Sequence, residues 1–172
     1  MASHKTYTHK ISDLTHNSQS GITLIEIIVV MALITMMATL TLATSMDSFR
    51  GYSYRNERDA IVNSLQRARS QAISNICLGT CTTGMPHGVH FNANSYTIFQ
   101  GIDYASRDII ADEIIRMNPA ISATGPTDII FAELSGDVTA TPAGALDLIV
   151  KDTTGHTSTI TLNSEGQIKW TN

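Results

Sequence analysis

Charged side chains are scarce in this chain of 172 residues: they form 15% of it, where a soluble globular domain carries about 25%. Aromatic residues supply 6%, with a single Trp, and there are two cysteines. Two cysteines fall two ligands short of a tetrahedral zinc site. Basic residues are also few, 11 against 15 acidic ones for a formal charge of −4. A mildly acidic whole is a poor start for a general nucleic-acid binder, which shows a basic face. Missing too are a G-x-S-x-G elbow, an H-E-x-x-H helix, a P-loop and a dinucleotide fingerprint, so no enzyme constellation can be read. Intrinsic disorder is excluded by the opposite feature, 42% apolar residues with little net charge. The low charge content therefore points to one strongly apolar stretch.

That stretch is residues 22–46, 25 residues with one charge, Glu26, and neither Pro nor Gly. About 20 apolar residues span a bilayer as a helix. The Thr residues at 23, 35, 39, 41 and 44 moderate the hydropathy, but a helix can return their hydroxyls to its own carbonyls. The segment before it is polar and holds Lys5 and Lys10 against Asp13. A positive flank keeps the N-terminus cytoplasmic. The run exceeds the 7 to 15 residues typical of a secretory signal core, roughly. Glu26 is the anomaly, since a carboxylate at mid-membrane depth costs roughly 2.5 to 3.5 kcal/mol. It needs a cation, and the next basic residue along the chain is Arg50.

The sequence Gly21-Ile22-Thr23-Leu24-Ile25-Glu26, set between a basic leader and a long apolar helix, resembles the class III signal of type IV prepilins and pseudopilins. The resemblance implies a prepilin peptidase cutting between Gly21 and Ile22 and methylating the new N-terminus. Glu26 would then be the fifth mature residue, and its partner the α-amino group of the next subunit. Two unit charges about 4 Å apart attract by roughly 4 kcal/mol at an effective dielectric of 20, enough to offset the burial cost. A plain membrane anchor with an incidental Glu is the alternative.

Beyond the membrane run the helix is expected to continue. Ile61, Leu65, Ala68, Ala72 and Ile76 form an apolar stripe at helical spacing, so one helix of about 55 residues would run from Ile22 to near Ile76. Gly51 and Tyr52-Ser53-Tyr54 are candidate points of loosening, the tyrosines suiting a membrane interface. The pattern Leu65, Ala68, Arg69, Ser70, Ala72, Ile73 resembles the helix end of GspH/FimT-type minor pilins and pseudopilins, and Gly88-Val89-His90-Phe91 resembles the first strand of that family's head. The fold implied is α+β, a long N-terminal helix packed on an antiparallel β-sheet head. The segments are a leader at 1–21, a transmembrane or filament-core helix at 22–50, an amphipathic extension at 51–78 and a head at 79–172.

In the head the period changes to two. Strands are expected at 89–91 and 95–99 around the turn Asn92-Ala93-Asn94, then at 109–115, 128–133, 146–151, 158–162 and 167–170, as one antiparallel meander covered by the helix. Charge divides the chain: 47–69 carries +2 and everything from 101 onward −6, so two parts with different surroundings are expected.

Few side chains suggest chemistry. Cys77 and Cys81 would lie outside the inner membrane, where oxidising conditions favour a disulfide; free thiols and a metal pair are the alternatives. His87 and His90 would point to opposite faces of a strand and read as surface or turn histidines. Asp108, Asp112 and Glu113 lack the spacing of a calcium loop and read as a solvated acidic face. Some FimT-like pilins bind DNA through a basic C-terminal motif. Here Lys169 is the single cation of that end, so Lys169 and Trp170 are weak DNA contacts and nucleic acid is not an expected partner.

The function that follows is assembly, with no catalysis and no cofactor. The chain would be a minor pilin or pseudopilin in the tip or initiation complex of a type IV pilus or a type II secretion pseudopilus. A DNA-binding minor pilin for DNA uptake is the alternative. Its partners would be other pilins or pseudopilins, the prepilin peptidase and the bacterial inner membrane, crossed once with the head outside.

Overall fold

A computed structural model describes residues 21–144 and 146–171, and of 41–47 the backbone alone. Residues 1–20 of the leader, with His4, His9 and His16, lie outside the described residues. The chain divides into two compact units, Met1–Thr44 and Ser45–Asn172. Helix α1, Leu24–Ile73, is assigned across both.

In the first unit every described residue of 24–40 is exposed, including Leu24 at 78% and Met37 at 69%. The helix forms here because Leu, Ile, Met, Ala and Val succeed one another without Gly or Pro. Thr35 and Thr39 donate their hydroxyls to the carbonyls of Ala32 and Met36, at 2.9 and 2.8 Å. These bonds satisfy the only polar side chains of that stretch after Glu26. Among the described residues no helix is long and apolar enough to cross a membrane. The described apolar side chains end at Leu40, whereas the sequence stays apolar to Met46.

The second unit is a β-rich head with its own core. Ile61, Leu65, Ala68 and Ala72 of α1 are fully buried, so the expected stripe is the packed face of the helix. Ile76 is not part of it. The helix stops at Ile73, short of the extension to 78, because Asn75 turns left-handed (φ 52°). Its amide donates to Ala72 O at 3.0 Å and the Ile76 amide to Gln71 O at 3.1 Å. This is the Schellman cap, with Asn in the place glycine usually takes. Gly51 does not interrupt the helix. Tyr54 is buried at 5% exposure, its hydroxyl 3.3 Å from Val150 O, and so is a core residue of the head; Tyr52 is exposed.

Among the described residues, nine strands form two antiparallel sheets. One has the order β3-β2-β1-β5-β6, from Glu113–Arg116, Ser95–Gln100, His87–Asn92, Asp128–Phe131 and Val138–Thr141. The other has the order β4-β7-β8-β9, from Ile121–Thr124, Asp147–Asp152, Thr157–Leu162 and Ile168–Thr171. A single meander is therefore wrong: after β3 the chain crosses to the second sheet for β4 and returns for β5 and β6. The expected strand at 109–115 is also divided, into a 3-10 turn at Ile109–Ala111 and β3. Asp108 caps that turn, its carboxylate accepting from the Ile110 amide at 3.1 Å, and it leaves Ile109 and Ile110 at 70% and 76% exposure.

Phe91, Tyr96, Ile98, Ile129, Phe131, Leu148, Val150 and Ile160 complete the core with the helix stripe. Part of the outer face of the first sheet is also covered, at Thr97 and Phe99, while Ile114 of β3 stays exposed. Phe99 meets Tyr104 edge-on at 5.4 Å, and Gly88 lies where a Cβ would strike the Phe99 ring and the Ile129 carbonyl.

Candidate functional site

The N-terminal segment holds the residues that the sequence ties to processing and assembly. Gly21 has open space around its Cα, and Ile22 is 71% exposed. Thr23 stands at the N-cap of α1, where its hydroxyl accepts from the Glu26 amide at 3.4 Å and its carbonyl accepts from the amides of Glu26 and Ile27. Thr23-Leu24-Ile25-Glu26 thus has the spacing of a capping box, Thr at the cap and Glu at the third helical position. The acidic side chain sits in the first turn, where the helix dipole favours negative charge. No cation pairs with the Glu26 carboxylate among the described residues. The segment joins an open Gly–Ile bond, a self-capped helix start and an unpaired carboxylate within six residues.

A second group surrounds the cysteines. Cys77 and Cys81 are disulfide-bonded, their Cα atoms 5.8 Å apart. The loop they close is strapped to the head from both sides. The Leu78 amide donates to Gln100 Oε1 at 2.5 Å, and Gln100 Nε2 lies 2.9 Å from Cys81 Sγ. The Thr80 amide and hydroxyl both donate to Asp108 Oδ2 at 2.7 Å, which holds that carboxyl below its ordinary pKa. Gln100 is fully buried beside His87, its cross-strand neighbour. Neither role was visible from sequence, since each depends on a partner about 20 or more residues away.

The histidines correct the surface reading. They do face opposite sides of β1, but His87 is 1% exposed, its Nδ1 2.9 Å from Met85 O. Burial pushes its pKa down. His90 is half-buried on the outer face, where Asp128 lies 2.6 Å from Nδ1 and Tyr104 stacks on the ring at 3.6 Å. Arg107 covers the other side of that aromatic group, 3.7 Å from the Tyr104 centroid.

The acidic residues at 108, 112 and 113 do not converge. Asp108 holds Thr80 and the 3-10 turn, Asp112 pairs with Arg107 at 2.8 Å, and Glu113 pairs with Arg67 of α1 at 2.7 Å. Among the described residues no group of three His, Cys, Asp or Glu could hold a metal ion. Near the other sheet, burial pushes the Asp152 carboxyl up, but hydrogen bonds from Thr154 and His156 outweigh it and leave the pKa well below the usual carboxylate range.

Lys169 and Trp170 are adjacent on β9 and therefore face opposite ways. Trp170 is paired with Ile160, which is fully buried, and lies on the core side; Lys169 is paired with Thr161 on the outer side.

Residues 16–42 match the family model for the prokaryotic N-terminal methylation motif. The match includes Gly21, Ile22 and Glu26 and ends inside α1. No curated protein and no solved structure matches the chain. A methylation motif at the start of a long helix, followed by antiparallel sheets, makes the chain type IV pilin-like. The motif belongs to a structural class of proteins, and it implies processing by a prepilin peptidase and assembly with other pilins.

Proposed function

We propose that this type IV pilin-like chain is a minor pilin or pseudopilin of the GspH/FimT type, working in the tip or initiation complex of a type IV pilus or a type II secretion pseudopilus. The observation that carries the reading is the Gly21–Glu26 segment: a matched methylation motif whose carboxylate lacks a partner among the described residues. A newly cut Ile22 would supply an α-amino group to a neighbouring subunit's Glu26. Between cutting and assembly, residues 22–46 would anchor the chain in the inner membrane with the head outside. Apolar side chains exposed along 24–40 support this, because twelve large ones lie open to solvent there and need lipid or other helices as cover. The Cys77–Cys81 bond fits a head held in an oxidising compartment.

The test is N-terminal sequencing and intact mass of the chain expressed with and without a prepilin peptidase. The expected product begins at Ile22 and carries one methyl group. A chain still beginning at Met1 in the presence of an active peptidase overturns the proposal. Co-purification with partner pilins then separates the assembly role from processing. Uptake of DNA is the weaker reading, since Lys169 and Trp170 point apart.

A further inference from the structure

Trp170 is the one tryptophan of the chain, and it is unusually open for a residue on the core side of its sheet. Its exposure is 45%, while its cross-strand partner Ile160 is fully buried. The ring closes one side of a groove of about 390 Å³ against α1. Val62, 4% exposed, lies at the base, and Asp59, Asn63 and Gln66 follow one another along the helix rim. The Asn63 and Gln66 amides are exposed and make no hydrogen bond among the described residues. Each carries two N–H donors and a carbonyl acceptor. Arg58 stands 5.9 Å from the Trp170 centroid, and its guanidinium is held by Asp59 at 2.8 Å.

We propose that this groove binds a neutral saccharide, one or two pyranose units of a glycan. A pyranose presents an apolar C–H face and a rim of hydroxyls that both donate and accept. An aromatic wall suits the face. Two free amides and a carboxylate suit the rim, because together they offer both donors and acceptors at helical spacing. The size suits a small ligand, for which pockets of roughly 300 to 1,000 Å³ are usual. Charge selects against anionic ligands: Arg58 and Asp59 neutralise each other, Lys169 faces away, and the chain from 101 onward carries −6. A nucleic-acid strand would need several phosphate contacts, and this groove offers no cation beyond one already paired with a carboxylate.

Because Trp170 is the only tryptophan, its fluorescence reports on this groove alone. The full chain, held in a zwitterionic detergent without sugar headgroups, is titrated with cellotriose, chitotriose and an oligothymidylate. A saturable emission change is expected with at least one sugar, with a Kd on the order of 1 mM, and none with the oligothymidylate. Asn63→Ala and Gln66→Ala should each weaken binding about tenfold while leaving the circular dichroism spectrum unchanged. Trp170→Phe keeps the aromatic wall and should retain binding by calorimetry. No saturable response to either sugar overturns the proposal. So does unchanged affinity in the double amide variant, and so does a tighter response to the oligothymidylate, which would make the groove a nucleic-acid contact. The amide variants sit on the exposed rim, so the test stands even if Trp170→Phe fails to fold.

Discussion

Leu33 and Leu65 lie on the same helix, eight or nine turns apart by sequence, yet one is 54% exposed and the other fully buried. Around Leu33 every position of 24–40 is open, whichever way it points. Around Leu65 exposure alternates with the helical period: Ile61, Leu65, Ala68 and Ala72 are buried, while Asn63, Gln66 and Arg67 are open. An all-round apolar segment has no preferred face, and the cover it needs must come from lipid or from other helices. A striped segment carries its cover within its own unit, as the two sheets of the head. The contrast separates residues that hold one subunit together from residues kept for what the subunit meets.

Substitution sharpens the contrast first. Leu65→Ala should destabilise the head by about 3 kcal/mol, since a cavity is left in a core that cannot fully collapse. Leu33→Ala should change head stability by less than about 0.5 kcal/mol. Denaturant unfolding of both variants, followed by the single Trp170, measures the pair. Equal losses would erase the distinction between the two halves.

Loss of the disulfide comes next. Paired Cys77→Ser and Cys81→Ser changes should lower head stability by up to about 2 kcal/mol, because so short a loop removes little unfolded-state entropy. Hydrogen exchange should quicken first at the Leu78 and Thr80 amides, which the closed loop aims at Gln100 and Asp108. Uniform loss of protection across the head would mean that the bond supports the whole fold rather than one strap.

Acid should give a smaller effect, in two windows. His87 has a folded pKa below the ordinary 6.5, by burial. The unfolded chain therefore binds its proton more readily, and stability falls as pH drops below about 6.5. Asp152 is also depressed, so its contribution is present above the ordinary 3.8 and is lost only as pH falls below that value. Unfolding midpoints measured from pH 8 to pH 3 in the parent and in His87→Gln resolve the two. If His87→Gln leaves the slope below pH 6.5 unchanged, that residue is not its source.

The smallest expected effect on the head is that of Glu26→Ala, no change in its unfolding. Assembly should nonetheless fail, with co-purification of partner pilins lost, and Glu26→Asp should be intermediate because the reach shortens by one methylene. Normal assembly of Glu26→Ala would return residues 22–46 to the role of a plain anchor.

Much of this was determined by the sequence alone. An unbroken apolar run, the Gly21–Glu26 segment and the stripe at 61, 65, 68 and 72 are local patterns, and a helix reads them through spacing that neighbours cannot alter. The hairpin of β1 and β2 is local for the same reason, a short turn between two apolar segments. Tertiary structure decided what depends on distant partners. The strands β4 and β6, Ile121–Thr124 and Val138–Thr141, are short and built largely of Ser, Thr and Ala. They carry little alternation of their own and become strands by pairing with β7 and β5. Ile109-Ile110-Ala111 has the residues of a strand but turns instead, because Asp108 is held by both Thr80 and the Ile110 amide. His90 seemed a surface group until Asp128 and Tyr104 came to its side, and Lys169 and Trp170 were neighbours in the chain until the pleat of β9 sent them to opposite faces. Periodicity fixes which face of an element is apolar; only the sheet partners fix what that face meets.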